Sequence, residues 1–302
     1  MPKAPSVRPI PFLVGDDGKL LPLWRAIAFF ALGTFVLFKY VFDPLFGWLS
    51  ARLGLGNALD ASGTFLGELE LFVVALLLTA LFAWYEGRRV DSYGLPLARA
   101  FRSEFWEGMA LGVIWPGLVA LGMLLLGGMQ IHGLALAGWP LLGAAASWAV
   151  ANIMVGLAEE MWYRGYLLQT LWKALGFWPA AIVLALLFTS DHYFYKTGEN
   201  AYDAVSLIGF NLFVCYSVLK TGSLWFGVGV HAAFDFMQLF VIGTKNGDHV
   251  PVNHLLDATF TGPAWLTGGV LGTEASVLMY PLFVLAFLYV WKRFPNRGAR
   301  AA

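Results

Sequence analysis

Three stretches of this 302-residue chain set ionisable side chains inside apolar sequence. They are Ala158-Glu159-Glu160-Met161-Trp162-Tyr163-Arg164, Phe188-Thr189-Ser190-Asp191-His192 and His231-Ala232-Ala233-Phe234-Asp235. Carboxylates and imidazoles held out of bulk water are suited to taking a proton from water and to stabilising a developing oxyanion. Two histidines and two carboxylates are also a donor set for zinc with an open coordination position. Both chemistries stay open on residue types alone.

Helix periodicity sorts these side chains into faces. Glu160 and Arg164 are four residues apart and can pair along one face, acid first. Glu159 is rotated about 100° from Glu160, which leaves it without the arginine. His231 and Asp235 share a face, and so do Phe188 and His192, so the phenyl ring can pack beside the imidazole. Measured from the inner ends of their helices at about 1.5 Å per residue, His231, Glu159 and His192 lie roughly 12, 18 and 21 Å deep. Helix tilt covers that spread. Singly, the Glu159–Glu160 pair reads as interfacial, His192 as a packing residue and His231 with Asp235 as a bridge between helices. Their convergence at one level argues for chemistry.

The elements that must position them are membrane helices. Apolar residues make up 59% of the chain and charged residues 13%, against about 25% charge in soluble domains, so lipid has to cover much of the surface. Spans are expected at 24–42, 65–85, 108–127, 141–171, 178–197, 202–220, 223–243 and 274–293. With the N-terminus inside, Lys3, Arg8, Lys19, Arg25, Arg88, Arg89, Arg99, Arg102, Lys173, Lys220, Lys292, Arg293, Arg297 and Arg300 fall on the inner side. Arg52, Lys196 and Lys245 fall on the outer side. That asymmetry favours about eight helices with both termini cytoplasmic. The expected fold is an all-α polytopic transmembrane bundle, a single integral membrane domain over 1–302. Residues 86–107 read as a cytoplasmic loop ending in an interfacial helix, and 244–273 as an outer loop able to cap the interior. Lys39 with Glu68 or Glu70 reads as a structural charge pair. Asn152 and Asn211 read as helix bridges, and His132, His249 and His254 as solvated. Asp191, one helical step from His192, receives no role.

Several function classes lose support. Net charge is zero and no basic cluster tracks a polyanion, so nucleic acid is not an expected partner. The lone Cys215 forms no intrachain disulfide. A transporter would show matched broken helices in two halves, and the halves do not match. His-Glu-x-x-His, Gly-x-Ser-Gly and Gly-x-Gly-Asp signatures are absent.

Glu-Glu-x-x-x-Arg, then Phe-x-x-x-His, then His-x-x-x-Asp, in that order on membrane helices, resembles the CPBP family. These are the CAAX prenyl proteases and their bacterial, Abi-like relatives linked to bacteriocin processing and self-immunity. The resemblance covers a core of about 140–243. It implies a glutamate-type intramembrane endopeptidase acting on membrane-embedded or lipid-associated proteins and peptides. On that resemblance Glu159 and His192 activate water, His231 and Asp235 stabilise the oxyanion, and Glu160 with Arg164 supports the motif. The bacterial inner membrane is the implied location.

The family's third motif often ends in Asn. With Asp235 there, three readings stand: a protonated Asp235, an Asp235 that orients His231, or one that helps bind a metal. No cofactor is expected. A divalent metal such as zinc remains open, on Glu159, His192, His231 and Asp235. A catalytically silent membrane immunity or scaffold protein and a zinc-dependent membrane protease are the alternatives.

Overall fold

The computed structural model describes residues 12–56, 58–198 and 200–294. Of the basic residues named above, Lys3, Arg8, Arg297 and Arg300 lie outside them. Among the described residues seven helices are long and apolar enough to cross a bilayer: α1 (Pro22–Arg52), α2 (Ala61–Glu86), α3 (Ser103–Leu125), α4 (Trp139–Leu175), α5 (Phe177–Tyr195), α6 (Ala201–Thr221) and α7 (Trp225–Ile242). The chain is an all-α, polytopic integral membrane protein. Local sequence sets several boundaries. Asp60 accepts hydrogen bonds from the Ser62 and Gly63 amides at 2.9 Å and starts α2; Asn200 does the same for α6. Gly87 and Gly222 end those helices at φ 70° and 69°, a backbone conformation that costs glycine nothing.

The expected eighth span, 274–293, is shorter than the sequence suggested. Helix α8 covers Met279–Arg293, 15 residues or about 22 Å, which is less than the roughly 30 Å of a hydrocarbon core. The preceding segment folds instead into short turns at Ala264–Thr267, Gly269–Leu271 and Thr273–Ala275. Irregular backbone of this kind needs protein around it to satisfy its polar groups. Here Leu266, Leu271, Thr273 and Ser276 are buried. Ser276 Oγ donates to the Leu266 carbonyl at 2.6 Å, and Thr273 Oγ1 donates to Gln238 of α7 at 2.7 Å.

Two loop expectations also change. Residues 86–107 contain no separate interfacial helix. Two 3-10 turns, Val90–Tyr93 and Leu97–Arg99, lead into α3, whose first turns take up Phe105 and Trp106. The expected outer loop contributes β2 (Leu256–Phe260), which pairs antiparallel with β1 (Met129–Leu134) from the α3–α4 connection. His132 sits at the irregularity in that ladder and bonds Thr259 at 3.0 Å.

Side-chain contacts define one end of the bundle. Arg25 at the start of α1 pairs with Glu86 at the end of α2 at 3.0 Å, and Tyr166 of α4 donates to the same carboxylate. The Leu224 amide and the Trp225 indole donate to the carbonyls of Gly94 and Pro96. Arg293 at the end of α8 binds Glu107 near the start of α3. The start of α1 and the end of α8 therefore lie at the same end, so α8 returns the chain despite its length.

Helix α7 is held unusually close to its neighbours. Gly108 and Gly112 form a Gly-x-x-x-Gly face on α3, and Gly229 answers from α7. A Cβ at Gly112 would stand 2.3 Å from the Val230 carbonyl, and one at Gly229 would stand 2.1 Å from the Phe105 carbonyl. Gly156 of α4 meets α7 the same way, with a Cβ 2.7 Å from the Val228 carbonyl. In lipid, where apolar surface alone gives little drive to associate, such small-residue faces let backbones approach and gain dispersion contacts. The result seats α7 between α3 and α4, with His231 against Glu159 and Glu160 of α4.

Candidate functional site

Helices α2, α4, α5, α6 and α7 enclose a cavity of about 450 Å³, within the usual range for ligand sites. Glu159, His192, His231 and Asp235 all line it. Three helices, α4, α5 and α7, thus deliver the four residues expected from the motifs to one cavity.

His231 is the hub. Its Nδ1 lies 2.9 Å from Oε1 of Glu160. Its Nε2 lies 3.6 Å from Oε2 of Glu159 and 3.6 Å from Oδ2 of Asp235. Phe210 packs edge-on at 5.0 Å and limits ring rotation. Glu160 is therefore more than a partner for Arg164. Its Oε1 is 3.4 Å from Arg164 Nη1, both side chains are fully buried, and the same oxygen holds the histidine. The Arg164 guanidinium also lies over the rings of Phe188 and Tyr163, at 5.0 and 5.4 Å.

Glu159, a helical step round, has its Oε2 buried without a hydrogen-bond partner among the described residues. On α5, the Phe188 ring stacks against His192 at 4.4 Å, as the four-residue spacing predicted. The His192 Nδ1 lies 2.9 Å from the Phe188 carbonyl. A carbonyl only accepts, so Nδ1 carries the proton and Nε2 keeps its lone pair. In both α4 and α7 the hydrogen bonding widens to π-helical beside the site, over Glu160–Leu167 and Phe236–Ile242. Such widening is frequent at functional sites.

Several side chains have places the sequence reading did not assign. Asp191 lines the cavity and accepts from the Tyr163 hydroxyl. Tyr163 is four residues after Glu159, so the helical period was the available signal. Glu68 also lines the cavity, and its expected pairing with Lys39 does not form among the described residues. The Lys39 ammonium lies over the Tyr40 ring at 5.3 Å, and Glu70 faces Asp43 of α1. Glu68 and Glu70 are two residues apart, which on a helix turns them to different sides. Glu274 lines the cavity beside Lys196 and pairs with it at 2.5 Å. Burial opposes ionisation of Glu274, but the Lys196 charge and hydrogen bonds from Lys196 and Gln238 outweigh it and hold its carboxyl below the usual glutamate range. Asn152 and Asn211 bond within their own helices, to the Trp148 carbonyl and Cys215.

Among the described residues no three His, Cys, Asp or Glu side chains converge closely enough to hold a metal ion. His231 Nδ1 is engaged by Glu160 and His192 Nδ1 by a backbone carbonyl.

Residues 141–237, which carry all three motifs, match the family model described as type II CAAX prenyl endopeptidase Rce1-like. No curated protein and no solved structure gives a match. Over that segment, set among membrane-crossing helices, the chain is similar to the Rce1-like CAAX prenyl endopeptidases.

Proposed function

We propose that the cavity hydrolyses peptide bonds of membrane-associated proteins or peptides with water activated by Glu159 and His192. The observation that carries this reading is two acceptors facing one cavity: Oε2 of Glu159, buried with no hydrogen bond among the described residues, and the Nε2 lone pair of His192. Both suit a water molecule that must lose a proton. The hydroxide adds to the carbonyl carbon and the carbonyl oxygen takes the negative charge. His231, donating from Nε2, stabilises that oxygen, while Nδ1–H donates to Glu160. The proton held by Glu159 then passes to the amine as the C–N bond breaks. No step runs through a metal.

In this scheme Asp235 is a positioning residue. Its Oδ2 faces His231 Nε2 at 3.6 Å, so it favours a protonated ring and orients it. An ionised carboxylate in direct contact with the oxyanion would repel it. The basic residues on the inner side support an orientation with both termini cytoplasmic, which puts Lys196, Glu274 and Asn246 toward the other face. A bacterial inner membrane is the location we assign to such a chain.

The test is comparative peptidomics of membranes carrying wild type or Glu159→Ala at equal levels of folded protein. Peptides that accumulate only with wild type identify substrate and cleavage site. Identical peptide sets would leave the catalytically silent immunity or scaffold reading in its place.

A further inference from the structure

The cavity wall on α2 carries a carboxyl group that the reaction above does not use. Glu68 lines the cavity, and its Oε2 is buried with no hydrogen-bond partner among the described residues. The charged groups acting on it are Glu159, His231 and Asp235, so two of three are of like sign. Space is available beside it. A Cβ at Gly67 would meet nothing within 4 Å, and one at Gly63 only Asp60 Oδ1 at 3.7 Å and the Ala58 carbonyl at 3.9 Å.

The charge balance of the cavity is one-sided. Glu68, Glu159, Asp191, Asp235 and Glu274 line it, and Lys196 is the one ammonium or guanidinium among the described lining residues. Lys196 is already bound to Glu274. A buried carboxylate with like-charged neighbours and no donor is costly. A ligand that brings a cation relieves that cost, and one that brings a second anion adds to it.

The geometry points to Glu68 as a specificity-determining residue, an acidic subsite on α2 that takes a lysine or arginine side chain of the substrate beside the scissile bond. Arginine meets a carboxylate through two parallel hydrogen bonds and lysine as a point charge. Either can lay its aliphatic stem along Leu71, which lines the same wall. The inference rests on the proteolytic reading above and names the substrate class for that site.

The experiment uses the full chain, purified and reconstituted in phospholipid vesicles, with a library of membrane-anchored peptides randomised around the cleaved bond. Cleavage is read by mass spectrometry for wild type, Glu68→Gln, Glu68→Asp and Glu68→Lys. Wild type should cut peptides with Lys or Arg at one position about tenfold faster than those with Gln there, the size of one well-placed charge pair at partial burial. Glu68→Gln should collapse that ratio, Glu68→Lys should invert it toward Asp and Glu, and Glu68→Asp should retain it in weaker form. An unchanged ratio in Glu68→Gln overturns the subsite. So does loss of every cleavage in Glu68→Gln and Glu68→Asp alike, which would make Glu68 part of water activation. Wild type that cuts no peptide overturns the proteolytic reading itself, whereas cutting without a basic preference overturns only the subsite.

Discussion

Oε1 of Glu160 lies 2.9 Å from Nδ1 of His231 while it faces Arg164, so one buried carboxylate ties the scaffold of α4 to the ring on α7. Removing one member of a buried ion pair leaves an uncompensated charge, at about 3–5 kcal/mol. Arg164→Met should therefore lower the thermal midpoint of the purified protein sharply. The double variant Glu160→Leu/Arg164→Met should regain much of the stability and little of the activity, because His231 then lacks its acceptor. Full recovery of activity in the double variant would count against the ring-holding role.

Glu159→Gln and His192→Ala should each reduce cleavage by about 10²–10⁴-fold, the usual contribution of a general base. Both should keep the thermal midpoint of wild type within a few degrees, since Glu159 Oε2 makes no hydrogen bond among the described residues and His192 Nδ1 bonds within its own helix. Retained activity in either variant sinks its assignment.

Asp235→Asn should remain within about tenfold of wild type, because an amide can still orient His231 and can donate to an oxyanion. Asp235→Ala should fall further. A loss for Asn as large as that for Ala would show that the negative charge itself is required in the reaction.

Strong chelators should leave cleavage unchanged, since no three donors converge on a metal position among the described residues. Loss of activity that added zinc restores would refute the metal-free scheme.

Gly112→Leu should displace α7 from α3, because even its Cβ would meet the Val230 carbonyl at 2.3 Å. Overpacking of this kind costs about 1–3 kcal/mol. Activity should fall more than stability does, as Val230 immediately precedes His231. Proteolytic cleavage and thermal midpoint measured on the same preparation separate the two effects.

The membrane-helix architecture and the motif residues were legible in the chain because both depend on local rules. Twenty-odd apolar residues must cross lipid as a helix, and a four-residue spacing puts two side chains on one face. Phe188 with His192, Glu160 with Arg164 and His231 with Asp235 follow from that spacing. The end of the chain was less legible. Residues 274–278 were expected to open the last span, yet Gly272 at φ 79° is followed by a 3-10 turn over Thr273–Ala275, leaving α8 short.

What the sequence by itself determined is the set of chemical groups and the helices that carry them. Which helices meet was decided only by tertiary packing: Gly108, Gly112, Gly156 and Gly229 let α7 sink between α3 and α4, and that approach brings His231 to Glu159 and Glu160. The same packing turned Glu68 from an expected partner of Lys39 into a wall of the cavity. Helical periodicity fixes angles within one helix. The distance from one helix to another depends on how small the side chains between them are, and on neighbours more than a hundred residues away.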